Sequence, residues 1–346
     1  MIYKIYGFVN SLAFVDMELI INDLDLDKPL LSVIAIKCAE SYLYNIGLSL
    51  FSFGSQKRNR FHNPFLISLI ICVQILKSIT AILMKEDKYR LLLIGDFAYF
   101  LNGRYFINSA IILWGLMALS TQLLHYWKYY KNESPSYLKP FEMICGLVSP
   151  KSVGLMDRED INQLLNKSKI MFQFSKFLTF GASFVCFCLS GIPLIINSTP
   201  SLYWIEFLWT LFLTVFGYHS FNINLSQMTY FYIICLYLKL KLRNANNSIT
   251  KCFEKKYKIT NHRIKDILIS LNSIIWEINI YNNDLWSKYL LIVLLLVIII
   301  MGLALFQSIF GKMSFFFKML FFYGSCLAFF INNSYKHRFF SIFWVK

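Results

Sequence analysis

Five histidines, eight cysteines and a small set of carboxylates are the groups in this 346-residue chain with the chemistry for catalysis or metal binding. Their spacing argues against both. His62, His125, His219, His262 and His337 form no i, i+4 pair and no HExxH. No GxSxG, Walker loop, Asp-rich prenyl motif or Gly-rich dinucleotide turn occurs. Cys38, Cys72, Cys145, Cys186, Cys188, Cys235, Cys252 and Cys326 show neither a disulfide framework nor a zinc spacing. Cys186 and Cys188 point to different helix faces and read as small apolar packing residues. His219, beside Tyr218, reads as a hydrogen-bonded core residue. The expectation is a protein without catalytic residues, metal or cofactor.

The informative ionisable groups are those inside apolar runs, where a charge is costly and must face protein, water or the headgroups. Asp96 and Arg104 stand eight residues apart, about two turns, near one helix face. They are either a functional pair or two snorkelling side chains. Lys77 and Lys318, lone long cations, read as snorkelling. The other signal is aromatic, with 34 Phe, 21 Tyr and 7 Trp. Many of these rings must face lipid or form interfacial belts. An aromatic-lined concavity with a few polar groups also suits a small organic ligand, and the candidate residues are Asp96, Tyr99, Arg104, Trp204 and Tyr323.

The elements that must position these groups are membrane-spanning helices. Hydrophobic residues make up 57% of the chain and charged residues 15%, so there is more apolar surface than one globular core can hide. It is gathered into runs of about 20 residues, the length that crosses a hydrocarbon layer. The runs lack the two-residue alternation of membrane strands, so the fold class is all-α, a polytopic transmembrane helical bundle. Six clear spans fall near residues 64–84, 91–127, 171–196, 203–242, 289–310 and 314–331. Residues 30–53 are a candidate seventh, disfavoured by Lys37 and Glu40 near the middle. Residues 1–63 therefore form a cytosolic or interfacial segment ahead of a transmembrane domain over 64–346. No cleaved signal peptide is visible in the first 20 residues.

The formal charge of +15 does not indicate nucleic acid, because the basic residues sit in short stretches between apolar runs. The connection after the second span carries Lys128, Lys131, Lys139, Lys151, Arg158, Lys167 and Lys169. The connection after the fourth carries Lys239, Lys241, Arg243, Lys251, Lys255, Lys256, Lys258, Arg263 and Lys265. Both are expected in the cytosol.

Before the fifth span, Ile264, Ile267, Leu268, Leu271, Ile274, Ile275, Ile278, Tyr281 and Leu285 recur at three-and-four spacing. That is the pattern of a helix packing on helices. The opposite face, with Lys265, Asp266, Asn272, Glu277, Asn279 and Asp284, suits water. No Pro or Gly lies between Ile264 and Ile300, so stripe and span together predict a rod of about 50 Å. With the end of the fourth span it predicts a cytosolic helical extension, packed through Ile267, Leu271, Ile274, Ile278 and Leu285. The alternative is a short amphipathic helix on the lipid surface.

Three soft motifs carry a resemblance. Gly95-Asp96-Phe97-Ala98-Tyr99-Phe100-Leu101 opens the second span. Tyr232-Ile233-Ile234-Cys235-Leu236-Tyr237-Leu238-Lys239-Leu240-Lys241-Leu242-Arg243 leaves the fourth, and the stretch from Ile278 to Leu290 enters the fifth. On these the chain resembles the arthropod gustatory and odorant receptor superfamily. The resemblance implies a seven-helix, tetrameric ligand-gated cation channel in the plasma membrane, with a small-molecule pocket in its outer half and a cytosolic helical anchor joining subunits. The family's last helix lines the pore with a TYxxxxxQF-type signature. Nothing here matches it, so either the sequence continues beyond Lys346 or the chain does not conduct, and no pore residue is carried over. The partners implied are the bilayer, a small organic ligand and other subunits in a homo- or hetero-oligomer. The alternatives are a seven-helix G-protein-coupled receptor, which lacks support from DRY or NPxxY, and a transporter or accessory membrane protein.

Overall fold

The computed structural model describes residues 62–85, 87–131, 140, 158–197, 202–254, 261–283, 287–311 and 318–319. Every regular element among them is helical. In chain order these are α1 (His62–Leu83), α2 (Lys88–Ile94), α3 (Phe97–Phe100), α4 (Arg104–Tyr130), α5 (Arg158–Asn197), α6 (Tyr203–Glu254), α7 (Asn261–Tyr281) and α8 (Ser287–Phe310). Residues 30–53, the span at 314–331, Leu285 and Tyr323 lie outside the described residues.

Three described helices are long and apolar enough to cross a membrane: Phe65–Leu83, Arg104–Trp127 and Glu159–Pro193. They correspond to the first three expected spans. Ile267–Tyr281 and Ile298–Phe310 are shorter apolar helices. Large side chains such as Leu83, Phe177, Phe184 and Trp204 are exposed on these elements, and a bilayer is the solvent in which such a surface is stable.

The described residues separate into two compact units. One is drawn from Asn59–His125, Phe174–Leu225 and Lys288–Lys346, the other from Tyr126–Gln173 and Ser226–Ser287. In the first, α1 and α4 run antiparallel. A Cβ on Gly115 would stand 3.0 Å from Ile75 and 3.5 Å from Phe216, and Ser68 bonds Gln122 two turns along. Here α5 and α6 are also antiparallel, since a Cβ on Gly191 would touch Thr210 at 3.4 Å and one on Gly217 would stand 2.9 Å from Cys186 Sγ. Gly217 thus serves close helix packing. The backbone of α6 passes through it without interruption for 52 residues, about 78 Å, where the sequence pattern had placed the end near Leu242.

One expectation is corrected. The second span does not run unbroken from Leu91. Its first part is α2, closed by Gly95 in the left-handed conformation at φ 70°. Gly95 N–H bonds Leu92 O and Asp96 N–H bonds Leu91 O, both at 2.9 Å, the paired bonds of a Schellman ending. Asn102, also left-handed at φ 52°, closes the turn before α4. Of the rod expected from Ile264 to Ile300, α7 extends to Tyr281, Asn282 and Asn283 form a wider turn, and α8 starts at Ser287; residues 284–286 lie outside the described residues.

Gly95 is required on two counts. Its φ costs an L side chain about 1–2 kcal/mol, and a Cβ would sit 2.5 Å from Trp209 Cβ. Gly95→Ala is expected to lower the unfolding temperature of the detergent-solubilised protein by several degrees, read by thermal unfolding. An unchanged midpoint would refute this account of the turn.

Candidate functional site

The turn at Gly95 delivers Asp96, and the first residue of α4 delivers Arg104. Both are buried, at 2% and 5% exposure. Arg104 Nε stands 3.3 Å from Asp96 Oδ2, a charge contact without the angle of a hydrogen bond, since neither atom has a hydrogen-bond partner. The guanidinium makes its hydrogen bonds elsewhere. Nη2 donates to Ala81 O and, at 2.6 Å, to Met84 O, carbonyls at the end of α1 that no further helical turn satisfies. Asn108, one turn into α4, donates Nδ2 to Asp96 Oδ1 and to Arg104 O, each at 3.0 Å. The two residues meet, but not as neighbours on one helix face: Asp96 precedes α3 and Arg104 opens α4, so the turns between them, and not helical spacing, make the contact.

Beside this cluster, Trp209 of α6 donates Nε1 to Leu93 O at 2.9 Å, and Lys77 Nζ lies 4.5 Å over its ring. That contact stabilises a cation where lipid would not, so Lys77 is held by protein rather than only extended toward headgroups. Tyr99 is half-buried on α3, edge-on to Phe100 at 5.3 Å. Trp204 stands apart. It is 72% exposed, flanked edge-on by Tyr203 and Phe207, and is not brought to Asp96. Arg104 Nη1 remains buried without a hydrogen-bond partner, a donor suited to a carbonyl or carboxylate.

The second unit carries its own buried charge. Glu277 of α7, assigned by its residue type to the water face, is 7% exposed. It accepts from Lys241 Nζ at 2.5 Å, Tyr281 Oη at 3.0 Å and Tyr237 Oη at 3.2 Å. The signal was present in the spacing: Glu277 follows Ile274 by three residues and precedes Tyr281 by four, on the buried stripe. Of the expected packing residues, Ile274 is buried, and Ile267, Leu271 and Ile278 are half-buried. Leu268 and Ile275 are exposed, at 60% and 56%. Asp160 at the start of α5, 1% exposed, pairs with Arg243.

Burial first, and the negative charge of Glu277 second, push the Tyr237 and Tyr281 phenols well above their ordinary value of 10.0. Both stay protonated donors while ordinary tyrosines ionise. The raised folded value means their contribution is complete below the unfolded value near pH 10 and declines as pH rises above it.

Glu206 of α6 is a further buried carboxylate, and its place inside the fourth expected span is the same signal that marked Asp96. It is 2% exposed and neither oxygen has a hydrogen-bond partner. Among the described residues no group of three or more His, Cys, Asp or Glu is placed to hold a metal. The Asp96 cluster offers no nucleophile beside a base, so what it can do chemically is bind and position. Comparison with family models, with curated proteins and with solved structures gave no match.

Arg104→Met should cost about 3–5 kcal/mol by leaving Asp96 buried and uncompensated, with part recovered in Asp96→Asn/Arg104→Met. Thermal unfolding of the three proteins decides it, and a double variant worse than the sum of the singles would contradict the pairing. For the second cluster, Glu277→Gln should bring two tyrosines into the ionisation range at lower pH than in the native protein. Phenolate absorbance followed from about pH 9 to 12 measures this, and superimposable titrations would refute the Glu277 assignment.

Proposed function

We propose that this chain is a chemosensory receptor of gustatory type, a multi-pass plasma-membrane subunit of an oligomeric, ligand-gated cation channel that responds to small organic molecules. The observation that carries the reading is α6. It begins among aromatic and apolar residues and continues without a break into the basic stretch around Lys239, Lys241 and Arg243. There Tyr237 and Lys241 engage Glu277 of α7. A long helix prolonged into a packed, basic helical pair supports a cytosolic anchor, which is what the resemblance implies. On this reading six spans, or seven with residues 30–53, cross the bilayer, and the loops rich in Lys and Arg face the cytosol.

Ligand binding falls on the buried Asp96 and Arg104 with Tyr99 beside them in sequence. A small molecule acts by binding one state of the helix bundle more tightly than another. Arg104, already engaged by two carbonyls and one carboxylate, retains a donor for the ligand. A carbonyl or carboxylate on the ligand suits that donor.

Expression of the full chain in cells, with whole-cell recording during application of a panel of small organic compounds, tests the proposal. A subset of compounds is expected to evoke cation current, with sensitivity reduced about tenfold, equivalent to about 1.4 kcal/mol, in Asp96→Asn. Folded protein at the cell surface that neither conducts nor gains thermal stability from any compound would overturn it. So would exposure of the Lys251 to Lys265 connection to reagents outside intact cells.

A further inference from the structure

Two contact points set the register of four helices in the unit built around α1 and α4. Gly115 of α4 meets Ile75 of α1 and Phe216 of α6, and Gly217 of α6 meets Cys186 of α5. Trp209 lies against Gly95, next to the Asp96 that holds Arg104 at the start of α4, so α4 and α6 run in the same direction, with α1 and α5 opposed to them. A step of seven residues is about two turns and returns to nearly the same helix face.

Taking that step from Ile75, Gly115, Gly217 and Cys186 reaches Ser68 on α1, Gln122 on α4, Asn224 on α6 and Thr179 on α5, while the step from Phe216 reaches the buried Ile223 beside Asn224. The first four are polar, whereas the residues they step from are Ile75, Gly115, Gly217 and Cys186. The hydrogen bond from Ser68 Oγ to Gln122 Oε1, 2.6 Å, fixes the register for the first two. Ser175, one turn beyond Thr179, lies on the same face of α5 and receives Thr179 Oγ1 on its carbonyl.

Apart from the half-buried Ser68, the tier is deeply buried. Gln122 is 0% exposed, Asn224 1%, Thr179 2% and Ser175 3%. Yet Gln122 Nε2, both Nδ2 and Oδ1 of Asn224, and Ser175 Oγ have no hydrogen-bond partner among the described residues. Buried amide and hydroxyl groups in native structures are satisfied, and each exception calls for a partner. These groups offer donors and acceptors together at one level of the bundle, in contrast to a lone orphaned atom. They are also neutral. Within one turn of Gln122, Asn224 and Thr179 the only lysine, arginine or carboxylate is Lys176, which is exposed. His125 lies three residues from Gln122, with Nδ1 2.6 Å from Thr121 O.

We propose that Ser68, Gln122, Ser175, Thr179 and Asn224 form an internal binding site for a small uncharged guest that both donates and accepts hydrogen bonds. The guest bridges Gln122 and Asn224, which do not bond each other. Water and a short hydroxylated organic molecule share the required chemistry. The site is distinct from the Asp96 cluster and stands or falls independently of the receptor reading.

The test uses the full chain in lipid nanodiscs, with Gln122→Leu, Asn224→Leu and the double variant compared by thermal unfolding. Each single substitution is expected to lower the midpoint by about 2–4 °C, and the double variant by less than the sum, because both amides hold one guest. Midpoints that rise, or effects that simply add, overturn the proposal. Should the variants fail to fold, a cryo-EM map of the native chain decides it: density bridging the two amides upholds the site, and direct contact between them removes it. Compact density with no selective stabilisation by glycerol identifies water. Glycerol raising the midpoint of the native chain more than that of Asn224→Leu identifies the organic guest.

Discussion

An arginine and an aspartate can leave water together only where fixed dipoles replace the hydration each has lost. Arg104 and Asp96 meet that condition with groups from three parts of the chain: the terminal carbonyls of α1, the amide of Asn108 and each other. The arrangement works because each contributor has an unmet need of its own. The last carbonyls of α1 have no helical donor, and the Asp96 carboxylate at the end of a short helix needs donors. One guanidinium donates to the carbonyls and sets its charge beside the carboxylate, whose donor is Asn108, and so ties α1 to α4. The link between α2 and α3, with its left-handed Gly95, becomes the piece that brings the carboxylate to the right place.

The same principle operates around Glu277, where the outcome is opposite to that suggested by composition. A carboxylate three and four residues from apolar stripe positions is carried inward by helix geometry whatever its hydrophilicity. Burial is then stabilised by a lysine and two phenols. Two buried tyrosines bond a carboxylate more strongly than water-exposed ones, since the low local dielectric strengthens a satisfied bond as much as it penalises an unsatisfied one. Glu277 is therefore a packing residue and a hydrogen-bond hub at once.

Small residues complete the picture. Gly115, Gly191 and Gly217 bring helix backbones near enough that a methyl group at any of the three would meet a neighbouring side chain. Close approach by small residues is the characteristic route to helix association where lipid removes the ordinary hydrophobic drive. The three helices of membrane-spanning length and apolarity fit that environment, as do the exposed leucines and phenylalanines on their surfaces.

Much of this architecture was legible from the residues. Helical class and the positions of α1, α4 and α5 follow from hydropathy; Asp96 and Arg104 do meet, but through the turns around α3 rather than through the periodicity of one helix. The break at Gly95 was less visible, because glycine is tolerated in membrane helices and what makes it obligatory, the left-handed turn and the neighbouring Trp209, belongs to the folded chain. The burial of Glu277, the capping of α1 by Arg104, the exposure of Trp204 and the polar tier at Gln122 and Asn224 depend on which helix lies opposite, information that no local pattern contains. Sequence by itself determined which segments are helical and which of them favour lipid, since those properties are sums over neighbouring residues. Tertiary structure alone decided which polar groups meet, because hydrogen bonds and ion pairs are satisfied between segments far apart in the chain and only within about 3–4 Å.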